Sequence, residues 1–363
     1  MTSLVGSVRS TISPDIGLDL GTANTVVYER GAGVLVSEPS VVAYDARSDE
    51  IIAIGSAAKE MEGRTPPYVR VVRPLRRGTI SDFRGAQTLV ARLVDRTLSS
   101  RPRLAPRLVA SIPGCATDIE CKAVEQAVRA AGARYTTYVP QAVAAAVGAG
   151  LDVTSRCAQM VVDIGGGTTE IAILGTAGVI RLASVAVGGD QLDLAIAARL
   201  RATYFAIGLP TAERLKFELG YAGRAPGRAG LRVRGIDLRD AAPRTRDVAE
   251  TFVGEAMSDG VAAIVRAAVG LLQSVSPDVA EDLIESGITL TGGGALIPGL
   301  AGAIGSRANV PVTIAADPLT CVARGAGEIL GSPTLHDRLR PHADRFTRWY
   351  QSLRIGMRES YSP

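Results

Sequence analysis

Residues 159–170 read QMVVDIGGGTTE, and this stretch decides the fold. The apolar run 159–164 predicts a strand that carries Asp163 close to its end. A glycine turn, 165–167, follows, and strands 170–174 and 179–185 lead away from it. Three consecutive glycines cost conformational entropy on folding. A turn that needs one left-handed residue does not use all three, so close approach of the backbone to a bulky anion explains the run better. Asp163 and a phosphate are both anions and do not touch directly. The carboxylate is read as holding Mg²⁺ through water, because magnesium keeps much of its hydration shell.

Working outward, the same layout occurs earlier in the chain. Strand 16–20 (IGLDL) leads into Asp19-Leu20-Gly21-Thr22-Ala23-Asn24-Thr25, and strand 25–28 leaves it. Asp163 lies 144 positions after Asp19 (163 minus 19), which suggests an internal duplication. Gly21 lets the backbone turn with its N–H groups free, and these, with the Thr22 hydroxyl, can hold phosphate oxygens. By itself this motif is equally a plain hairpin turn. Asp19 shares the magnesium role. A third turn, Thr291-Gly292-Gly293-Gly294-Ala295, follows the strand at 287–291. Backbone without side chains can lie flat against a nucleoside there, although any strand-to-helix turn fits the same letters. No Gly-Lys-Ser/Thr follows any of the three turns and none is GxGxxG. A P-loop NTPase and a dinucleotide dehydrogenase are therefore excluded.

The remaining sequence sets the frame. A chain of 363 residues, 47% hydrophobic and 21% charged, predicts a globular protein of two domains or a pseudo-duplicated pair. A net charge of +4 with mixed signs does not point to a nucleic-acid partner. Cys115, Cys121, Cys157 and Cys321 form no CxxC pair, and the only histidines are His336 and His342. Buried reduced thiols are expected rather than a zinc site. No apolar run is long enough to span a membrane and the N-terminus does not read as a signal peptide, so a cytoplasmic protein is expected. Helices are predicted near 83–98, 118–131, 142–149, 190–205, 210–220, 248–274, 298–306 and 320–330. Strands are predicted at 107–112 and 311–314, and a hairpin near 231–238. Residues 46–79 read as irregular apart from a short helix at 57–61.

The trio DLGTANT, DIGGGTTE and TGGGA, in this order, resembles the actin, Hsp70 and sugar-kinase superfamily. Within it, LDLGTANTVVY, EPSVVA, AKEMEGRTP, RPLRRGTISDF, AAAVGAGL, MVVDIGGGTTEIAI, TAERLKFELG, LTGGGALIPGL and DPLTCVARGAGE are similar to the MreB/Mbl family of bacterial actin-like cell-shape proteins. The likeness covers roughly residues 15–331. It implies an α/β, actin-like (RNase H-like duplicated) two-domain fold with ATP and Mg²⁺ in the interdomain cleft. Domain I would span 1–152, with a small subdomain inserted at 46–79 and completion by 320–334. Domain II would span 153–319, with an insertion at 191–250, and 335–363 would be a basic aromatic tail. Gly21, Thr22, Ala23 and Asn24 would meet the phosphates from one side. Gly165, Gly166, Gly167 and Thr168 would meet them from the other. Gly292, Gly293, Gly294 and Ala295 would meet the adenosine, and Asp190 would lie near the sugar. Glu213 and Lys216, one helical turn apart, would flank ribose and base, or form an ordinary surface pair.

Two stretches depart from the family pattern. At Pro140-Gln141-Ala142-Val143 the family usually carries Glu-Glu-Pro-Met, whose glutamate before the proline positions the attacking water. Gln141 can orient water but cannot take its proton. General-base assistance is worth roughly 10²–10⁴ in rate, so slow hydrolysis is predicted, with Gln141, Thr169 and Asp163 as the catalytic set. The loop Ser99–Pro106 keeps one leucine, Leu104, worth about 1.5–3 kcal/mol of burial where the family can carry two large apolar residues. Met1, Leu4, Val5, Val8 and Ile12 fall at helical spacing. The tail interleaves Arg338, Arg340, Arg345, Arg348, Arg354 and Arg358 with Phe346, Trp349, Tyr350, Leu353, Ile355 and Met357. Such a tail can lie on an anionic bilayer, pack back on the body, or stay unstructured.

The function expected is a filament-forming ATPase whose partners are further copies of itself, the inner membrane face and cell-wall synthesis proteins. Head-to-tail stacking is heterologous and gives open filaments. The alternative is a non-polymerising actin-like ATP-binding switch. An Hsp70-type chaperone needs a substrate domain after the ATPase, and a sugar kinase needs an aspartate where Gln141 stands.

Overall fold

The computed structural model describes residues 14–98, 105–114, 116–176, 178–332 and 335. The N-terminal apolar positions, Leu104 and its flanking arginines, Cys115 and the arginine-rich tail lie outside the described residues.

The chain opens with a meander, β1 (Asp15–Leu20), β2 (Asn24–Glu29) and β3 (Gly33–Pro39). A small insertion follows: β4 (Val42–Asp45), β5 (Ile51–Ile54), α1 (Ser56–Glu60), β6 (Val69–Val72) and a hairpin of β7 (Leu75–Arg76) and β8 (Thr79–Ile80). Then come α2 (Phe83–Leu98), β9 (Arg107–Ile112), α3 (Asp118–Ala130), β10 (Tyr135–Pro140) and α4 (Gln141–Gly148). The second half starts with its own meander, β11 (Gln159–Ile164), β12 (Thr169–Gly175) and β13 (Gly178–Val185). Its insertion holds α5 (Gly189–Ala202), β14 (Phe205–Ala206), α6 (Leu209–Leu219) and the hairpin β15 (Leu231–Asp237) with β16 (Ala242–Val248). After it come α7 (Glu250–Leu272), α8 (Pro277–Ser286), β17 (Ile288–Thr291), a 3-10 turn (Gly293–Leu296), α9 (Leu300–Ala308), β18 (Val312–Ile314) and α10 (Cys321–Gly331).

The duplication expected from the two glycine turns is visible in the topology. One sheet runs β3-β2-β1-β9-β10 and the other β13-β12-β11-β17-β18. In each, the first strand is antiparallel to the second and parallel to a strand reached by a long crossover. A further parallel strand closes each edge. Central strands of such sheets are covered on both faces and read as unbroken apolar runs. Ile16, Leu18, Val161, Val162 and Ile164 are fully buried accordingly.

Helices α4 and α10 lie between the two sheets. Val143, Ala146, Val322 and Ala326 pack in one cluster with Val109 of the first half and Val161, Ala172 and Leu182 of the second. The two helices touch backbone to backbone. A Cβ on Gly148 would stand 1.8 Å from the Cys321 carbonyl oxygen, and one on Gly325 would stand 1.8 Å from that of Ala144. An alanine- and glycine-rich contact therefore ties residues 321–331 to residues 141–148.

The structure corrects the sequence reading in four places. Residues 46–79 are not irregular: β5, β6 and the β7–β8 hairpin lie there, in runs too short to show periodicity. Strand β10 was missed, although Tyr135–Val139 consists entirely of aromatic and β-branched residues, the types enriched in strands. Helix α8, with proline at its first position, was also missed. Cys157 is exposed and Cys121 half-buried; among the described cysteines only Cys321 is buried.

Candidate functional site

The polar residues gather at the C-terminal ends of the parallel strands, where open α/β sheets bind their ligands. β1 brings Asp19 to the edge of the cleft, and Ser111, at the end of neighbouring β9, donates to its Oδ1 at 3.0 Å. β11 brings Asp163 beside Thr291 of β17. The Thr291 hydroxyl donates to Asp163 Oδ1 at 2.7 Å, and the Gln141 amide, from the start of α4, donates to Oδ2 at 2.8 Å. Asp163 is buried, whereas Asp19 keeps part of its surface open to the cleft.

A cleft of about 410 Å³ lies between the halves, and most of the candidate residues line it. Asp19, Gly21, Thr22, Ala23 and Asn24 form one wall, and Asp163, Gly165, Gly166, Gly167 and Thr168 face them. Gln141, Asp190, Glu213, Lys216 and Gly292, Gly293 and Gly294 complete the candidate set around it. Two candidates do not line it. Ala295 is fully buried behind the third turn. Thr169, the first residue of β12, directs its hydroxyl to the Val187 carbonyl at 2.7 Å, while Thr168, just before β12, lines the cleft.

The glycine run of the second bend has a second reason beyond anion approach. A Cβ on Gly166 would stand 2.7 Å from Ala23 Cβ, and one on Gly167 would stand 2.6 Å from Thr22 Oγ1 and 2.8 Å from Arg77 Cα. The two bends abut across the cleft, and only glycine lets them. The β7–β8 hairpin seals this contact, since Gly78 N–H donates to Thr22 Oγ1 at 3.0 Å.

Electrostatics at the floor favour a cation. Burial, then repulsion from Asp163, pushes the Asp19 carboxyl up to about 7, against the Ser111 hydrogen bond. Burial also raises Asp163, opposed by its bonds from Thr291 and Gln141. Among the described residues no group of three or more His, Cys, Asp or Glu side chains could hold a metal alone. This donor set suits Mg²⁺, which takes its other ligands from water and phosphate.

Glu213 and Lys216 do not pair with each other. Lys216 Nζ lies 2.9 Å from Asp193 Oδ2 and donates to the Gly189 carbonyl at 3.1 Å. Burial pushes Asp193 up to about 6, with Lys216 pulling it back, and its Oδ1 is a buried oxygen with no hydrogen-bond partner. Glu213 instead meets Lys59, with Nζ 2.9 Å from Oε2. Burial raises Asp190, opposed first by Arg73. Sequence reasoning also missed apolar lining residues such as Phe217, Leu296, Ile297, Pro318 and Leu319. Phe217 and Leu319 are exposed, which hydropathy alone does not reveal.

The family model described as MreB/Mbl protein matches residues 13–338. Cell shape-determining protein MreB of Escherichia coli (strain K12) is 39% identical over 336 residues, covering 90% of this chain and 96% of the relative. Its counterpart in Pasteurella multocida (strain Pm70) is 41% identical over 346 residues, covering 92% and 97%. Among solved structures, MreB 5 of Spiroplasma citri bound to AMPPNP superposes with a TM-score of 0.82 at 30% identity, covering 91% of this chain and 98% of that one. An actin-like fold, a shared cleft and these likenesses over nearly the whole described chain agree: the protein belongs to the MreB/Mbl family of cell shape-determining actin homologues.

Proposed function

We propose that the cleft binds ATP with Mg²⁺, hydrolyses it slowly, and thereby controls head-to-tail assembly of the chain into filaments. The observation that carries the reading is the meeting of the 21–24 and 165–168 bends across one cleft, with Asp19 and Asp163 below them. Backbone N–H groups of both bends would hold the phosphate oxygens. Asp19 and Asp163 would hold Mg²⁺ through water, and the bound ion supplies charge neutralisation at the phosphates. The Gly292–Gly294 turn, Leu296 and Phe217 would take the adenosine, and Asp190, Glu213 and Lys216 would surround its sugar. The AMPPNP- and ADP-bound forms of the Spiroplasma citri relative support nucleotide binding.

Gln141 is assigned to water orientation. Its Nε2 is committed to Asp163, which fixes the amide plane and leaves Oε1 to accept from a water. No proton is taken, so hydrolysis is slow. Thr169 braces the start of β12 through Val187. Titration calorimetry with Mg-ATP tests the binding step, and absence of heat at protein concentrations of tens of micromolar removes the reading. Pelleting and electron microscopy with and without nucleotide test assembly. Nucleotide uptake without filaments would leave the non-polymerising switch.

Assembly beside the inner membrane face, near cell-wall synthesis proteins, is part of the same proposal. Among the described residues no helix is long and apolar enough to cross a membrane. The contact is assigned to the arginine-rich tail on its sequence. Liposome sedimentation of the chain cut after residue 334 tests this, and unchanged binding removes the tail from it.

A further inference from the structure

Two ion pairs cross the mouth of the cleft and join the insertions of the two halves. Lys59, near the end of α1, reaches Glu213 on α6, with Nζ 2.9 Å from Oε2 and donating to Oε1 at 3.1 Å. Arg73, between β6 and β7, stands between two carboxylates, 3.3 Å from Glu62 and 3.5 Å from Asp190. Glu213 and Asp190 line the cleft, whereas Lys59 and Arg73 are not among its lining residues. Each wall carboxylate of the second half is therefore held from outside by a cation of the first.

Exposed ion pairs on flexible side chains contribute little. These are better sheltered. Side-chain exposure is 21% for Arg73, 18% for Glu62, 26% for Asp190 and 19% for Glu213, and only Lys59 reaches 35%. Partly buried pairs are screened less by salt. The charges are also coupled. Asp190 has Glu213 and Glu62 as repulsive neighbours, and Arg73 and Lys216 offset them. Removing Arg73 leaves three carboxylates at one edge of the cleft with less cation to bind them.

We infer that Lys59 and Arg73 are positioning residues for the bound nucleotide: by fixing Glu213 and Asp190 they hold the two insertions together and set how fast nucleotide leaves. The inference rests on the nucleotide reading above. A triphosphate gripped at the two bends can leave only through the mouth, and the walls cannot part there until both ion pairs break. Truncating one member of such a pair acts mainly on dissociation.

The test uses the full chain loaded with mant-ATP and Mg²⁺ and chased with unlabelled ATP in a stopped-flow instrument. Lys59→Met and Arg73→Met should each release the label about 3–10-fold faster, with the double variant faster than either. Lys59→Glu should release fastest of the single changes at Lys59. Combining it with Glu213→Lys should slow release again relative to Glu213→Lys alone, which equally lacks the Glu213 contact to the sugar, and a purely structural role for Lys59 does not predict this. Two results overturn the inference: release from both methionine variants within about twofold of the wild type, or a swap no slower than Glu213→Lys. Failure of the wild type to take up mant-ATP at all is a different outcome, and it removes the nucleotide reading together with the positioning role. Thermal melting of each variant confirms that all compared proteins are folded.

Discussion

Glu170 is a fully buried carboxyl on β12, cross-strand from Asp163. Its Oε1 accepts from the Ser184 hydroxyl at 2.7 Å and its Oε2 from Gly114 N–H at 3.0 Å, so it joins the second half to the loop after β9 of the first. Burial, helped by repulsion from Asp163, pushes the carboxyl from an ordinary 4.5 up to about 7, although hydrogen bonds from Ser184, Gly114 and Thr168 pull the other way. The folded value lies above the unfolded one. The contribution of Glu170 to stability is therefore complete below about pH 4.5 and is lost as pH rises through 7. At 1.36 kcal/mol per unit, the loss is ~1 kcal/mol at pH 5 and ~3 kcal/mol at pH 8. Glu170→Gln keeps the shape and both contacts: one amide oxygen accepts from Gly114, and the amide nitrogen donates to Ser184, whose hydroxyl can turn. The variant should match the wild type near pH 4.5 and exceed its stability by up to ~3 kcal/mol at pH 8. Urea midpoints of both proteins between pH 5 and 8 give the difference curve, in which Asp19 and Asp193 cancel because both proteins carry them, while Asp163, which repels Glu170, remains part of the measured difference. A flat difference, or a variant weaker at pH 8 than at pH 5 relative to wild type, refutes the reasoning.

Gly166→Ala should drive its Cβ into Ala23, at 2.7 Å, costing about 1–3 kcal/mol and weakening Mg-ATP uptake in calorimetry. Withdrawing Mg²⁺ with EDTA should lower nucleotide affinity by about 10–100-fold in the wild type and much less in Asp163→Asn, measured by mant-ATP titration. Gly148→Ala should separate α4 from α10 and cost about 3 kcal/mol or more in thermal unfolding. Gly270→Ala, in α7 with nothing within 4 Å of the added carbon, should stabilise the chain by about 0.5–1 kcal/mol in the same assay.

The three glycine turns were legible because each is local. A strand and a backbone bend follow one another within eight residues, with an acidic residue between them in the first two, and strand geometry alone places them at one sheet end. The repeat of that layout made the paired sheets legible too. What escaped was set by distance along the chain or by faces that letters do not mark. Lys59 and Glu213 are 154 positions apart, and Arg73 and Asp190 are 117 apart. Asp190 and Glu213 were placed near the sugar by the family likeness, but among 40 Lys and Arg nothing nearby distinguishes Lys59 and Arg73, their partners, from solvated charges. Thr168 and Thr169 show the other kind of limit. Both are hydroxyls at the same bend, but Thr168, just before β12, lines the cleft, while Thr169, the first residue of β12, turns to Val187. Gln141 combines the two. Its departure from the family pattern was visible as a letter, but the structure adds that its amide is already engaged by Asp163. A glutamate in that place would turn this attraction into a repulsion between buried carboxylates, so the Gln141–Asp163 pair has to be understood as one unit. The slow hydrolysis proposed for this cleft rests on what the pair lacks, a free base.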